Sequence, residues 1–318
     1  DGRLRRGPPC AAARQGEAVP HAAHPAQMTT APVITPFHDA ATGTFTYLVS
    51  DPASRCSAII DPVLDFDARS GRTSTRCADA VLGALRASGA TLEWILETHA
   101  HADHLSAAAY LKAQAGGRIA IGEGIRQVQE TFVPIYGLSG ACATDGSQFD
   151  RLFTDGETFR IGGLEVRVLA LPGHTSDSIA YLAGDAAFIG DTLFMPDAGT
   201  ARTDFPGGDA GRLYDSIQKL YALPEATQLF MCHDYPTGAQ TPRHQASVGT
   251  QYRENIHLRH DTSREAYIAL RTARDRTLAL PALIIPALQV NIRAGALPAP
   301  GPNGIAYLRT PLDTFGRA

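Results

Sequence analysis

Paired thiols are missing from this sequence. Its five cysteines, Cys10, Cys56, Cys77, Cys142 and Cys232, are odd in number and never fall in a CxxC spacing. That argues against a disulfide framework, an iron–sulfur cluster or a structural zinc knuckle, and it fits a reducing, cytoplasmic compartment. An excess of either charge is missing too. With a net charge of -4 and a pI near 6.3, nothing favours binding to nucleic acid or to an anionic membrane surface. The longest aliphatic stretch, 278–290, is too short for a membrane span and is interrupted by Pro281, Pro286 and Gln289. Residues 1–27 are rich in Arg, Ala and Pro and lack the apolar core of a secretion signal. They are expected to be a tag, a vector read-in or a disordered leader ahead of Met28, with a transit peptide as the alternative.

What is present is a chain of 318 residues, 44% hydrophobic and 19% charged, enough for one large α/β domain or two modest ones without covalent staples. Strand-like runs at 33–37, 45–49 and 56–60 are separated by Gly- and Pro-containing turns and predict an antiparallel start, closed by Asp61-Pro62-Val63. Helical spacing at 77–87, with Val81, Leu82 and Leu85 as its stripe, precedes a strand at 92–96. A helix over 105–115 and a strand at 118–121 follow. The excursion at 122–146 includes Tyr136, which is expected to approach the functional site. The second half repeats this logic, with strands at 157–161, 164–171, 178–182 and 186–189 and a helix at 209–220. Two strand-rich halves each ending in helices predict a four-layer αβ/βα sandwich. The expected division is a catalytic domain over 28–240 and a C-terminal extension over 241–318, helical at 264–278, irregular around 283–297, and packed on the core.

Four strands run straight into potential metal ligands. The first delivers His99-Ala100-His101-Ala102-Asp103-His104; the others end at Pro172-Gly173-His174, at Gly190-Asp191 and at Cys232-His233-Asp234. In extended backbone His99 and His101, two residues apart, point to the same side and can share one ion. The turn into the next helix then brings Asp103 and His104 round toward them. Imidazole and carboxylate donors suit zinc, iron and manganese, and a site of this kind should be catalytic, with an open position. His21, His24, His38, His244, His257 and His260 lack such a context and are read as ordinary histidines. Cys232 is read as a small core residue at a strand end, with a redox-sensitive thiol as the alternative.

These motifs, His99-x-His101-x-Asp103-His104, Pro172-Gly173-His174-Thr175, Gly190-Asp191-Thr192 and Cys232-His233-Asp234-Tyr235, resemble the metallo-β-lactamase superfamily over about residues 33–237. Within it, Thr200-Ala201-Arg202-Thr203-Asp204-Phe205 resembles the signature of persulfide dioxygenases. In the tail, Asn255-Ile256-His257, Arg271-Thr272-Ala273-Arg274-Asp275 and Leu288-Gln289-Val290-Asn291-Ile292-Arg293 are similar to the bacterial branch labelled β-lactamase hydrolase-like.

The resemblance implies one non-haem Fe(II) per chain, held by His99, His174 and Asp191, with positions left for water, substrate sulfur and O2. The implied reaction oxidises glutathione persulfide with O2 and water to sulfite and glutathione. Arg202 is implied to grip a glutathione carboxylate, the alternative being a salt bridge with Asp204. Tyr235 is implied to donate its hydroxyl to substrate, with packing as the alternative, and Thr175 to bind near the site, with capping of the local turn as the alternative. His101, Asp103, His104 and His233 are then either an outer ring that orients water and ligands or the ligands of a second metal. The competing reading is a glyoxalase II-like thioester hydrolase with a dinuclear zinc or mixed-metal site. β-Lactam hydrolysis fits less well without a secretory signal, and a persulfide sensor lacks any DNA-reading motif. A homodimer is compatible with such a family.

Overall fold

The structure is a computed structural model, and it describes residues 31–236 and 240–315. Along the chain the elements are β1 (Val33–Asp39), β2 (Thr44–Ser50), β3 (Cys56–Ile60), β4 (Val63–Asp67), β5 (Arg72–Ser74), α1 (Arg76–Ser88), β6 (Thr91–Leu96), β7 (Leu105–Ser106), α2 (Ala108–Ala115), β8 (Arg118–Gly122) and α3 (Ile125–Ile135). Then come β9 (Arg151–Phe153), β10 (Thr158–Ile161), β11 (Leu164–Ala170), β12 (Ile179–Ala183), β13 (Ala186–Phe188), α4 (Ala210–Tyr221), β14 (Gln228–Phe230), β15 (Gln245–Ser247), α5 (Val248–Glu254), α6 (Arg264–Asp275) and α7 (Ile284–Asn291).

Period-two alternation sorts the strand residues between two interfaces. In β2, β3 and β6, the residues Tyr47, Val49, Ala58, Ile60, Trp94 and Leu96 face the second sheet, where they meet Val166, Val168, Tyr181 and Phe188. Their neighbours Leu48, Ile59 and Ile95 face outward onto Val81, Leu85, Leu111, Phe132 and Leu288 of the helical layer. The second sheet is covered on its own outer face by Leu213, Ile217, Val248 and Tyr267. The result is the expected four-layer αβ/βα sandwich. One sheet has the order β1-β2-β3-β6-β8-β9 and the other β10-β11-β12-β13-β14-β15.

Several expectations need correction. A small third sheet, β5-β4-β7, begins just where Asp61-Pro62-Val63 was expected to close the strand region. The helix expected from 105 begins at Ala108, because Leu105–Ser106 is held extended against β4. Tyr136 does not approach the site: it is buried in the helical layer beside Phe132 and Phe315, with its hydroxyl donating to the Ile284 carbonyl. The stretch expected to be irregular at 283–297 contains α7. Pro286 lies in its first turn, where no backbone N–H is needed. The tail is continuous with the cores on both sides: β15 completes the second sheet, α7 joins the first helical layer, and Val248, Leu258 and Tyr267 join the other.

Candidate metal centre

Topology explains why distant ligands meet. β11 and β13 are each antiparallel to β12, and β13 is parallel to β14, so the three strands run the same way and end on one edge. The chain after them carries His174, Asp191 and His233. The first sheet is tied to that edge where the Ile179 N–H donates to the Thr98 carbonyl at 2.9 Å and where Thr44 bridges to His233. Two glycines make the turns possible. A Cβ on Gly173 (φ 144°) would lie 2.3 Å from the Leu213 nitrogen, and one on Gly190 (φ 51°) 2.4 Å from the Thr98 hydroxyl oxygen.

The ligand-type atoms of His99, His174 and Asp191 all lie within 4.8 Å of one another, and the three residues are buried. The Asp191 Oδ2 oxygen is 4.0 Å from His99 Nε2 and 3.7 Å from His174 Nε2. On its other side, Asp191 Oδ1 is 3.3 Å from His233 Nε2, which is 3.1 Å from Asp103 Oδ2. The rings of His101 lie 4.0 Å from His99 and 4.2 Å from His104, as the side-by-side reading requires. Six atoms here are buried without a hydrogen-bond partner: His99 Nε2, His101 Nδ1, Asp103 Oδ2, His104 Nε2, Asp191 Oδ1 and His233 Nε2. Buried polar atoms left unpaired are costly, and nitrogen and oxygen lone pairs gathered at one point are what a cation satisfies. The donor set therefore fits one or two metal ions.

Protonation agrees with that use. Burial, then the neighbouring rings of His101 and His174, pulls His99 well below the usual histidine range, and burial with His104 does the same to His101. Both are neutral imidazoles at neutral pH, the ligand form. His233 differs. Burial, its largest influence, pulls it down, but the Asp103 and Asp191 carboxylates together push it above the ordinary value.

The atoms facing away from the cluster are held. His174 Nδ1 lies 2.7 Å from the Arg202 carbonyl, which fixes the N–H there and leaves Nε2 free. His101 Nε2 donates to Asp61 at 2.9 Å, and Asp61 also accepts from the Thr98 N–H and hydroxyl. Asp61 adopts φ 50°, a left-handed conformation that aspartate tolerates better than most residues. Asp177 accepts from the Ala100 N–H at 2.8 Å. From α7, Asn291 donates to the carbonyls of both His101 and His104 and accepts from the Ser106 N–H, each at 2.8 Å. Sequence reasoning gave Asp61, Asp177 and Asn291 no role. The Asp-Pro pair after a strand was the one available signal for Asp61, and Asn291 was marked only as part of the 288–293 motif, with no link to the metal-ligand loop.

A cavity of about 590 Å³ opens onto Asp103, His174 and Asp191, within the size range of small-molecule sites. Its far wall is the extension, through Ile256, Arg271, Arg274, Leu278 and the 281–283 segment. Tyr235 also lines it, 63% exposed and stacked on His233 with ring centroids 5.7 Å apart. Thr175 does not line it. Its hydroxyl is 2.6 Å from that of Ser178, so the turn-capping alternative describes it. Arg202 lines the cavity, but its guanidinium is held in two bonds by Asp204, at 2.6 and 2.7 Å, and by the Ala279 carbonyl. The salt-bridge alternative is thus the one present, and Arg202 reaches His174 through its backbone. Phe205 packs edge-on against His174 at 5.4 Å. α6 braces this segment, since Asp275 accepts from the Thr203 N–H and hydroxyl and Arg271 donates to the Thr200 carbonyl. Among the other histidines, His257 is buried and accepts the Thr200 N–H at 2.9 Å, while His21 and His24 lie outside the described residues.

The family model for the metallo-beta-lactamase superfamily matches residues 40–233. A probable metallo-hydrolase of Burkholderia pseudomallei is 50% identical over 88% of this chain and 98% of its own length. A beta-lactamase hydrolase-like protein of Agrobacterium fabrum is 51% identical over 95% of this chain and 67% of its own length. Two relatives at 33% identity, each matched over 60% of this chain, carry different activities in their names: a hydroxyacylglutathione hydrolase of Methylococcus capsulatus over 62% of its length, and the mitochondrial persulfide dioxygenase ETHE1 of Homo sapiens over 64%. Among solved structures, ETHE1 from Myxococcus xanthus has a TM-score of 0.66 and 31% identity, covering 83% of this chain and all of that one. Among the described residues no helix is long and apolar enough to cross a membrane. The chain belongs to the metallo-beta-lactamase superfamily.

Proposed function

From that membership we propose a persulfide dioxygenase that converts glutathione persulfide, O2 and water to glutathione and sulfite, with one Fe(II) per chain held by His99, His174 and Asp191. The observation that carries the reading is the buried set of two imidazoles and one carboxylate, His99, His174 and Asp191, of which His174 and Asp191 line the cavity; this is the donor set of non-haem iron oxygenases. It is supported by the packing of the 200–205 segment around His174 and by the likeness to the Myxococcus ETHE1 structure. When bound, iron would supply the redox chemistry with O2 and a position for the persulfide sulfur.

The protein's own part is positioning. Arg202's carbonyl and Thr98's hydroxyl orient His174 and His99. Phe194, Phe205 and Leu283 give the cavity an apolar lining that limits competing water. Tyr235, which lines the same cavity, is proposed to donate its hydroxyl to the substrate, and His101, Asp103, His104 and His233 to form the ring around the metal. Thr175, tied to Ser178, is given no part.

A second reading has its own observation. Asp103, His104 and His233 converge with Asp191 and leave unpaired atoms of their own, which would suit a second metal and thioester hydrolysis by a metal-activated hydroxide. Anaerobic metal analysis followed by oxygen uptake with glutathione persulfide separates the two. One iron per chain with one O2 consumed per persulfide is the expected result. Two metals per chain with cleavage of a glutathione thioester and no oxygen loss selects the hydrolase.

A further inference from the structure

Three arginines line the cavity, and they are not in the same state. Arg202 is held by Asp204 and the Ala279 carbonyl. Arg271 is buried and spends its guanidinium on Asp275 at 2.5 and 2.9 Å and on the Thr200 carbonyl. Arg274, one turn along α6 from Arg271, is exposed. Among the described residues no carboxylate lies within ion-pair distance of it and its guanidinium makes no hydrogen bond. The cavity's acids do not compensate it, because Asp103 and Asp191 belong to the candidate metal cluster and Asp197 is paired with Arg243 at 2.8 Å.

We propose that Arg274 is the specificity-determining residue of this cavity, receiving a carboxylate of an anionic thiol substrate while the sulfur lies at the metal end. This rests on the reading of the cavity as the site of a glutathione-derived substrate, and it moves the carboxylate contact from Arg202 to Arg274. A planar guanidinium matches a carboxylate with two parallel bonds. A guanidinium with no internal partner offers them without first breaking an ion pair, which Arg202 and Arg271 would have to do. The proposal also gives the extension a purpose, since α6 both braces the 200–205 segment and presents the recognition charge.

The test uses the full-length, metal-loaded protein and its Arg274→Ala and Arg274→Lys variants. Binding of S-methylglutathione, which keeps both carboxylates and has no free thiol, is measured by calorimetry, alongside KM and kcat for glutathione persulfide. Arg274→Ala is expected to weaken S-methylglutathione binding and raise KM by about ten-fold or more, the loss of one charge-assisted contact. Metal content and kcat should stay within about two-fold, and Arg274→Lys should recover part of the loss. S-methylglutathione with both carboxylates amidated should bind the wild type and the Ala variant equally weakly. Equal binding of S-methylglutathione by wild type and Arg274→Ala, an equal loss for the amidated probe, or no binding by the wild type overturns the proposal. An absence of oxygen uptake by the wild type overturns the persulfide reading instead and leaves the binding result to judge Arg274.

Discussion

The strand-end loops and the C-terminal extension both bury polar side chains, and they treat them in opposite ways. Of ten buried side-chain nitrogen or oxygen atoms without a hydrogen-bond partner among the described residues, six sit on the ligand-type residues of the loops. In the extension Arg271, Asp275, Gln251, Asn255 and Asn291 are equally buried, and each is bonded; Arg293 leaves one nitrogen unpaired. Folding tolerates the first arrangement only where something else supplies the missing partner. The loops are therefore built to receive a ligand and the extension to hold them still.

The largest effect should come from Asp191→Ala, which removes the carboxylate shared by both halves of the cluster. Bound metal should disappear from elemental analysis and activity should fall by about a thousand-fold or more. Unlike chelation of the wild type, the loss should not be reversed by adding metal. If the extension is scaffold, Asp275→Ala should act on stability: it strands the buried Arg271 charge and two donors of Thr203. A loss of about 3 to 5 kcal/mol in urea unfolding is expected.

Asn291→Ala tests the point where the two regions join. It frees the carbonyls of His101 and His104 and the Ser106 N–H while removing no ligand. Metal affinity should fall by about ten- to a hundred-fold in competition with a chelator, and unchanged affinity would separate the extension from the site.

The smallest effect concerns His257, held to about 4 by burial and by the Arg271 and Arg274 charges. A histidine of depressed pKa favours the fold in its neutral form. Its contribution is complete above the unfolded value near 6.5 and is lost as pH falls from there toward about 4, on the order of 2 to 3 kcal/mol. His257→Asn keeps an acceptor for the Thr200 N–H. The variant should therefore lose less stability than wild type between pH 7 and pH 4.5 in parallel melts.

The legible parts of the sequence were those where chemistry and chain order coincide. His99 and His101 are two residues apart in extended backbone, and their rings are neighbours. Gly173 and Gly190 stand directly before their ligands because a side chain there would collide with Leu213 or Thr98. The strand runs read at 45–49, 56–60, 92–96 and 164–171 are β2, β3, β6 and β11. Where the reading went astray, a local signal was overridden from far away. The start of α2 is delayed because β4, about 40 residues back, pairs with Leu105–Ser106 and Asn291, 185 residues on, accepts from the Ser106 N–H. α7 was hidden by Pro281 and Pro286, although it is largely apolar and most of its residues are buried. Tyr136 was drawn into the helical layer by the Ile284 carbonyl. Arg202 is a local case: its pairing with Asp204, two residues away, is the alternative stated for it.

By itself the sequence determined the inventory: which donors exist, which strands deliver them, and that imidazoles and carboxylates gather at the strand ends. Those follow from residue chemistry and from spacings of one to five residues along the chain. Only the tertiary structure decided which arginine of the cavity has no partner among the described residues, and that α7 clasps the loop of His101 and His104. Pairing and burial depend on which atoms compete for the same partner across the fold, and distance along the chain carries no information about that.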